Sequence, residues 1–167
     1  KTYAMTGLRL GYLAIKDKTI RMRAHKVLLY TASNISSIAQ FAGIGALEGS
    51  QDYVQDFRKE LLARRQLFHD GLGVHAKGVL TSHLPAGAFY NFVKINPEWR
   101  PPVPTEQTSL SWMMTEYMIK AGRVGCIPGV DFGINGEGYI RLCYAREQPE
   151  LKAALESIGS ILAGQRA

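Results

Sequence analysis

The chain has 167 residues, 46% apolar and 10% aromatic, enough to bury a substantial core in one or two compact units. Charged residues make up 20%, and the sequence contains no block of like charge, no biased tract and no apolar run of the roughly 20 residues a membrane span requires, which excludes a long disordered segment and a membrane-spanning helix. The net charge of +6 would attract any anion, nucleic acid included, and does not choose among them.

Lys1 to Gly7 reads as a loop, without the initiator Met or apolar signal core of a natural start, as an internal cut would. Leu8 to Ile15, LRLGYLAI, is apolar and aromatic and predicts a short buried strand. Asp17 is a candidate N-cap for a helix through Tyr30, and Ser33-Asn34 interrupts it before a second helix from about Ser36 to Leu47. After Gly49 and Ser50 a long helix is predicted from about Gln51, with Val54, Phe57, Leu61, Phe68 and Leu72 on one face. Arg58, Lys59, Arg64 and Arg65 occupy the rest, as a solvated helix face would, and no aromatic platform or nucleic-acid module accompanies them.

Beyond Gly71 and Gly73 the texture changes. Gly78 to Ser82 and Ala88 to Ile95 predict strands separated by the turn residues Pro85 and Gly87. Pro97 to Pro104 is a loop, Gln107 to Lys120 a helix ended by Gly122, and Val124 to Ile127 and Tyr139 to Tyr144 are strands joined by the loop Pro128 to Gly138. The end is an amphipathic helix with Pro149 in its first turn, a stripe of Leu151, Ala154, Leu155, Ile158, Ile161 and Leu162, and a stop at Gly164. This order predicts a small α+β sandwich with its helices on one face of a sheet. Cys126 and Cys143 each lie in an apolar stretch and predict two reduced, buried thiols of a cytosolic protein. The four His residues show no metal-ligand spacing and no Ser or Cys partner in a nucleophile motif, so they are read as structural or surface residues and no metal site is expected.

The candidate chemistry begins at Lys1-Thr2-Tyr3-Ala4-Met5-Thr6-Gly7-Leu8-Arg9-Leu10-Gly11-Tyr12. This segment resembles the cofactor-lysine signature of class I and II pyridoxal-phosphate-dependent aminotransferases, closest to the bacterial-type aspartate aminotransferase subgroup, in which K-x-x-A-M-T-G-x-R-x-G-Y is typical. Pyridoxal phosphate needs a primary amine for its aldehyde, which Lys1 can supply, and a cation for its phosphate, for which the delocalised, bidentate guanidinium of Arg9 is suited. Gly7 and Gly11 would let the backbone turn and pack closely beside it.

Two further segments carry the resemblance in the family's order. Pro85-Ala86-Gly87-Ala88-Phe89-Tyr90 is similar to the P-x-G-A-F-Y element at the start of a small-domain strand, and reads physically as a turn entering a strand. Pro128-Gly129-Val130-Asp131-Phe132-Gly133, followed by Arg141-Leu142-Cys143-Tyr144-Ala145, is similar to P-G-x-x-F-G and R-L-x-Y-A. An Arg inside an apolar strand is costly to desolvate unless it meets an anion. The resemblance implies that Arg141 grips the substrate α-carboxylate; the alternative is a structural ion pair. By the same resemblance Phe132 sits at the substrate entrance, with a plain core aromatic as the alternative. Asn34 lies in a segment similar to the one that approaches the neighbouring subunit's site, unless Ser33 or Asn34 simply caps the following helix.

The resemblance implies fold type I: residues 1–50 ending a large cofactor-binding α/β domain, residues 51–73 a bridging helix, and residues 74–167 the carboxy-terminal small α+β domain. It implies a cytoplasmic homodimeric enzyme that moves an amino group from an L-amino acid to a 2-oxo acid, with no nucleic-acid or membrane partner. Lys1 would anchor pyridoxal 5'-phosphate and act as general base. The family parts that precede the Lys are absent from this sequence, so the chain is expected to be inactive alone. Animal-type aspartate enzymes carry an Arg five residues before the Asn corresponding to Asn34, and this chain has Leu29, so the donor amino acid stays open. The alternatives are a carbon-sulfur β-lyase of the same fold, a basic binding module, or a relative without catalysis.

Overall fold

Asp17 shows how closely local chemistry sets the first helix: its backbone is extended and its carboxylate accepts from the Ile20 amide at 2.8 Å, so α1 (Lys18–Ala32) starts at the next residue. In a computed structural model describing residues 1–165, the chain forms two compact units, Lys1–Phe57 and another from Arg58 onward. In the first unit α2 (Ser37–Glu48) follows α1, and α3 (Asp52–His75) begins. This unit has little core of its own. No residue of α1 is buried and only Ala39 of α2 is, while Leu28, Tyr30, Ile38 and Phe41 are exposed.

The strand expected over Leu8 to Ile15 does not form. Thr6–Leu8 is a 3-10 turn, residues 10–17 are irregular, and Tyr12 and Leu13 are exposed. Apolar composition fits a strand only where another strand supplies ladder partners, and the first unit has no strand among its described residues.

The second unit continues α3 and adds β1 (Leu80–Thr81), β2 (Tyr90–Ile95), α4 (Leu110–Lys120), β3 (Ile127–Pro128), β4 (Tyr139–Cys143) and α5 (Gln148–Leu162). Each expected element is found here, although β3 is shifted to the end of its predicted range. The strands form an antiparallel sheet in the order β1-β2-β4-β3. Pro128 lies on the edge strand, where its missing N–H costs no central ladder bond.

The register pairs Val93 with Ile140 and Asn91 with Leu142. All four are buried, whereas Phe92 and Cys143 are exposed and Lys94 faces the same side. One sheet face is thus packed and the other open. Against the packed face lie Phe68 and Leu72 of α3, Met114 and Met118 of α4, and Leu151, Leu155, Ile158 and Leu162 of α5. Of the apolar stripe expected on α3, only Phe68 and Leu72 reach this core, and Phe57 is exposed. Nor is the basic cluster of α3 only a solvated face: Arg64 pairs with Glu60 at 2.7 Å and Arg65 donates to the Pro85 carbonyl at 2.9 Å. His69 also has a role in packing. Its Nδ1 is 2.9 Å from Ser82 Oγ, which accepts from the buried Asn91 amide at 2.6 Å, tying α3 to the sheet.

The connection from β3 to β4 contains two 3-10 turns, Gly129–Phe132 and Ile134–Gly136. They approach so closely that a Cβ on Gly136 would lie 2.0 Å from the Gly129 carbonyl oxygen. Ser111, fully buried in α4, donates to the Gly136 carbonyl and accepts from the amides of Gly138 and Tyr139 at 2.9 and 3.2 Å. Glu137 accepts from the Ser109 hydroxyl and the Leu110 amide, both at 2.7 Å, closing the amino-terminal turn of α4. Partial burial pushes the Glu137 carboxyl up, but these hydrogen bonds outweigh it and hold the group below its ordinary 4.5.

Gly136→Ala forces backbone apart and should cost about 1–3 kcal/mol or more in a urea melt, with the largest spectral change in the β3–β4 connection. For Glu137 the folded value is lowered, so its contribution is complete above about pH 4.5 and disappears as the pH falls through the folded value. Glu137→Gln should therefore flatten the acid limb of the stability profile, read as unfolding midpoint against pH.

Candidate active site

Arg141 lies on β4 between Ile140 and Leu142, both at most 2% exposed, so strand alternation sends its side chain to the open face of the sheet. There it stands opposite Phe92 on β2 and Ile127 on β3. Its guanidinium carbon lies 4.2 Å from the centre of the Tyr90 ring and 4.6 Å from that of Phe132. Phe132, at the end of a 3-10 turn, meets Phe92 edge-on at 6.1 Å, and Phe92 stacks on Tyr139 at 5.2 Å. Four rings and one cation therefore form a continuous cluster. Each ring facing the cation contributes about 0.5–2 kcal/mol, depending on its exposure to water.

Among the described residues Arg141 has no ion pair and no hydrogen bond, and its recorded contacts are with the two rings. Rings hold the guanidinium without consuming its N–H donors, which are suited to a carboxylate approaching in their plane. Phe132 is 53% exposed and is not a core aromatic.

The first unit holds Lys1, Arg9 and Asn34. The Lys1 side chain is exposed and its carbonyl accepts from the Ala4 amide at 3.0 Å, while the amides of Leu8 and Arg9 donate to Met5 and Thr6 at 3.1 and 3.4 Å. Lys1 and Arg9 thus stand at the two ends of one tightly turned loop. The left-handed positions are Ala4 (φ 51°) and Arg9 (φ 52°). The turning expected of Gly7 and Gly11 falls to these two residues, and a Cβ at either glycine would meet nothing within 4 Å among the described residues. Arg9 is exposed and, among the described residues, hydrogen-bonds only the Thr6 carbonyl, at 3.3 Å. Asn34 is exposed on the α1–α2 connection and does not cap α2, whose N-cap is Ser36 without a side-chain bond. Ser33 ends α1 with φ 55°.

Aminotransferase class I and II proteins match residues 1–158. The chain belongs to this family. It is 33% identical over 168 residues to an aspartate aminotransferase of Pyrococcus horikoshii, covering 99% of this chain and 40% of that protein. It is also 34% identical to aromatic-amino-acid aminotransferase 2 of Thermococcus litoralis, covering 97% of this chain and 39% of that protein. Among solved structures, the aspartate aminotransferase of Rhizobium meliloti aligns with a TM-score of 0.80 and 32% identity, over 96% of this chain and 39% of that one. An aromatic aminotransferase from Pyrococcus horikoshii aligns with a TM-score of 0.80 and 35% identity, over 97% and 40%. The chain spans about 40% of the length of the curated relatives it matches. Its mixed helices and small antiparallel sheet correspond to the carboxy-terminal portion of fold type I aminotransferases.

Within this aminotransferase chain, sequence reading missed Tyr90, Phe92 and Tyr139. The visible signal was aromatic residues at alternate positions of β2 and β4, but only the register puts them on the face of Arg141. Cys143, expected to be buried, shares that face because it lies two residues beyond Arg141, and it is exposed. Cys126 is buried, and burial pushes its thiol up to about 11, against a smaller opposing influence of the Thr115 hydroxyl. Among the described residues no group of His, Cys, Asp and Glu is placed to hold a metal ion. Iodoacetamide at pH 8 should therefore modify Cys143 and leave Cys126 unlabelled in the folded protein, with both labelled after denaturation, as peptide mass mapping would show.

Proposed function

We propose that the protein containing this chain is a pyridoxal-phosphate-dependent aminotransferase that moves an amino group from an L-amino acid to a 2-oxo acid. The observation that carries this reading is Arg141, a guanidinium on an open sheet face held by aromatic rings and without a carboxylate partner among the described residues. Its forked donors suit the α-carboxylate that every amino acid and 2-oxo acid presents.

The donor set of the first unit fits the cofactor. The Lys1 amine can bond the aldehyde and the exposed Arg9 guanidinium can hold the phosphate, both from one turned loop. Pyridoxal phosphate supplies, when bound, an electron sink that makes the substrate Cα proton acidic. Arg141 holds the carboxylate and fixes the substrate's orientation. Lys1 would serve as the general base that takes the proton from the substrate Cα. Phe132, on the substrate side of Arg141, excludes water, and Asn34 approaches the site of a second subunit in a homodimer. In the same reading residues 1–50 complete a cofactor-binding domain, 51–73 bridge, and 74–167 form the small domain. The names of the relatives support aspartate or aromatic amino acids as donors. Two free cysteines support a cytoplasmic location, and no described helix is long and apolar enough to cross a membrane.

The test is amino transfer by the intact enzyme with a panel of amino donors and 2-oxoglutarate. Lys1→Ala should abolish transfer, and Arg141→Lys should lower kcat/KM on the order of a hundredfold. The 167-residue chain alone should show neither transfer nor cofactor absorbance at stoichiometric pyridoxal phosphate. Release of ammonia and pyruvate from a sulfur amino acid, without transfer to 2-oxoglutarate, would replace this reading by β-elimination.

A further inference from the structure

We propose that Tyr90 is a positioning residue for the substrate carboxylate: its ring face fixes the Arg141 guanidinium while leaving the guanidinium's N–H donors unoccupied. The proposal rests on the carboxylate-binding role proposed for Arg141.

Tyr90 opens β2 and pairs with Cys143, so it lies diagonally across the ladder from Arg141, within reach of an aromatic side chain. Its placement is set by a strongly determined corner. Ala88 is held in the left-handed region at φ 61°, and its carbonyl accepts the Tyr144 hydroxyl at 3.0 Å. The Phe89 carbonyl accepts the Tyr144 amide, also at 3.0 Å, and Tyr144 itself is 1% exposed. The Phe89 ring leans on that of Tyr90 with centroids 4.6 Å apart. Tyr90 is thus braced by buried structure, whereas the other ring on Arg141, Phe132, is more than half exposed on a connection.

The chemistry of the contact matters as much as its rigidity. An Arg side chain has many rotamers, and a carboxylate that must order it on binding loses affinity. An acidic or amide partner could order it beforehand, but would take the donors the substrate needs. A ring face orders the guanidinium through its quadrupole and takes none. The Tyr90 hydroxyl has no hydrogen bond among the described residues, so the face of the ring is the part in use.

The test uses the intact holoenzyme, with Tyr90 replaced by Phe, by Leu, and by phenylalanines carrying one, two and three ring fluorines, which drain the ring face at nearly constant shape. Tyr90→Phe should keep KM within about twofold for both the amino acid and the 2-oxo acid, because the face is retained. Tyr90→Leu should raise both KM values roughly three- to tenfold, with kcat changed less. Across the fluorinated series KM should climb stepwise, and the dissociation constant of succinate, a carboxylate that cannot react, should climb with it. A flat fluorinated series overturns the proposal even if Tyr90→Leu fails to fold. Arg141→Lys separates the two levels: if it raises KM while the series stays flat, only the role of Tyr90 falls. If Arg141→Lys leaves KM and succinate binding unchanged, the carboxylate role of Arg141 falls and this proposal with it.

Discussion

The antiparallel register between β2 and β4 is the constraint on which the second unit depends. It places Val93 and Ile140 side by side in the core and, one residue away, Phe92 opposite Arg141 on the open face. A slip of one residue would drive the guanidinium among Met114, Met118 and Leu155 and expose Leu142. An unpaired cation in such surroundings costs several kcal/mol, so the apolar core enforces the register. The register in turn assembles the aromatic cluster. Stability and the candidate chemistry are therefore set by alternate residues of the same two strands.

A second device fixes the ring that the strands cannot supply. Phe132 belongs to the β3–β4 connection, and its position follows from the close approach of Gly129 and Gly136 and from the bonds of Ser111 and Glu137. Here only a residue without a Cβ fits, because backbone oxygen occupies the space a Cβ would take. Ser111 serves the start of β4 and Glu137 the start of α4, so one short stretch satisfies helix and strand termini together. The connection is irregular by secondary structure yet closely determined by hydrogen bonding.

These two devices also explain what could be read from the sequence. α5 was legible because its apolar stripe coincides with the core it meets, and α1 because Asp17 announces its start through a local bond. Arg141 was legible because a cation in an apolar strand is a local anomaly. Tyr90, Phe92 and Tyr139 were not, since each looks like an ordinary strand aromatic until pairing brings it beside the cation. The same blindness to pairing produced the false strand at Leu8 to Ile15 and the misplaced burial of Cys143. Ser111 and Glu137 act across 25 to 28 residues of sequence, a separation at which no motif announces a hydrogen bond. The loop from Lys1 to Arg9 was legible by family resemblance, and there physical reading assigned the turning to the wrong residues.

That last error bears on Arg9. A non-glycine residue in the left-handed region carries a cost of about 1 kcal/mol or more that Gly would avoid, and Gly7 and Gly11 nearby show no such need. Were the loop shaped for its turns alone, glycine would serve better at position 9. An Arg held there, with its side chain exposed and hydrogen-bonded among the described residues only to the Thr6 carbonyl, makes sense if the guanidinium has a task outside the loop's own structure. The strain and the exposed cation are independent observations, one of backbone and one of side chain. Together they support for Arg9 the anion-holding role that its position in the motif implies.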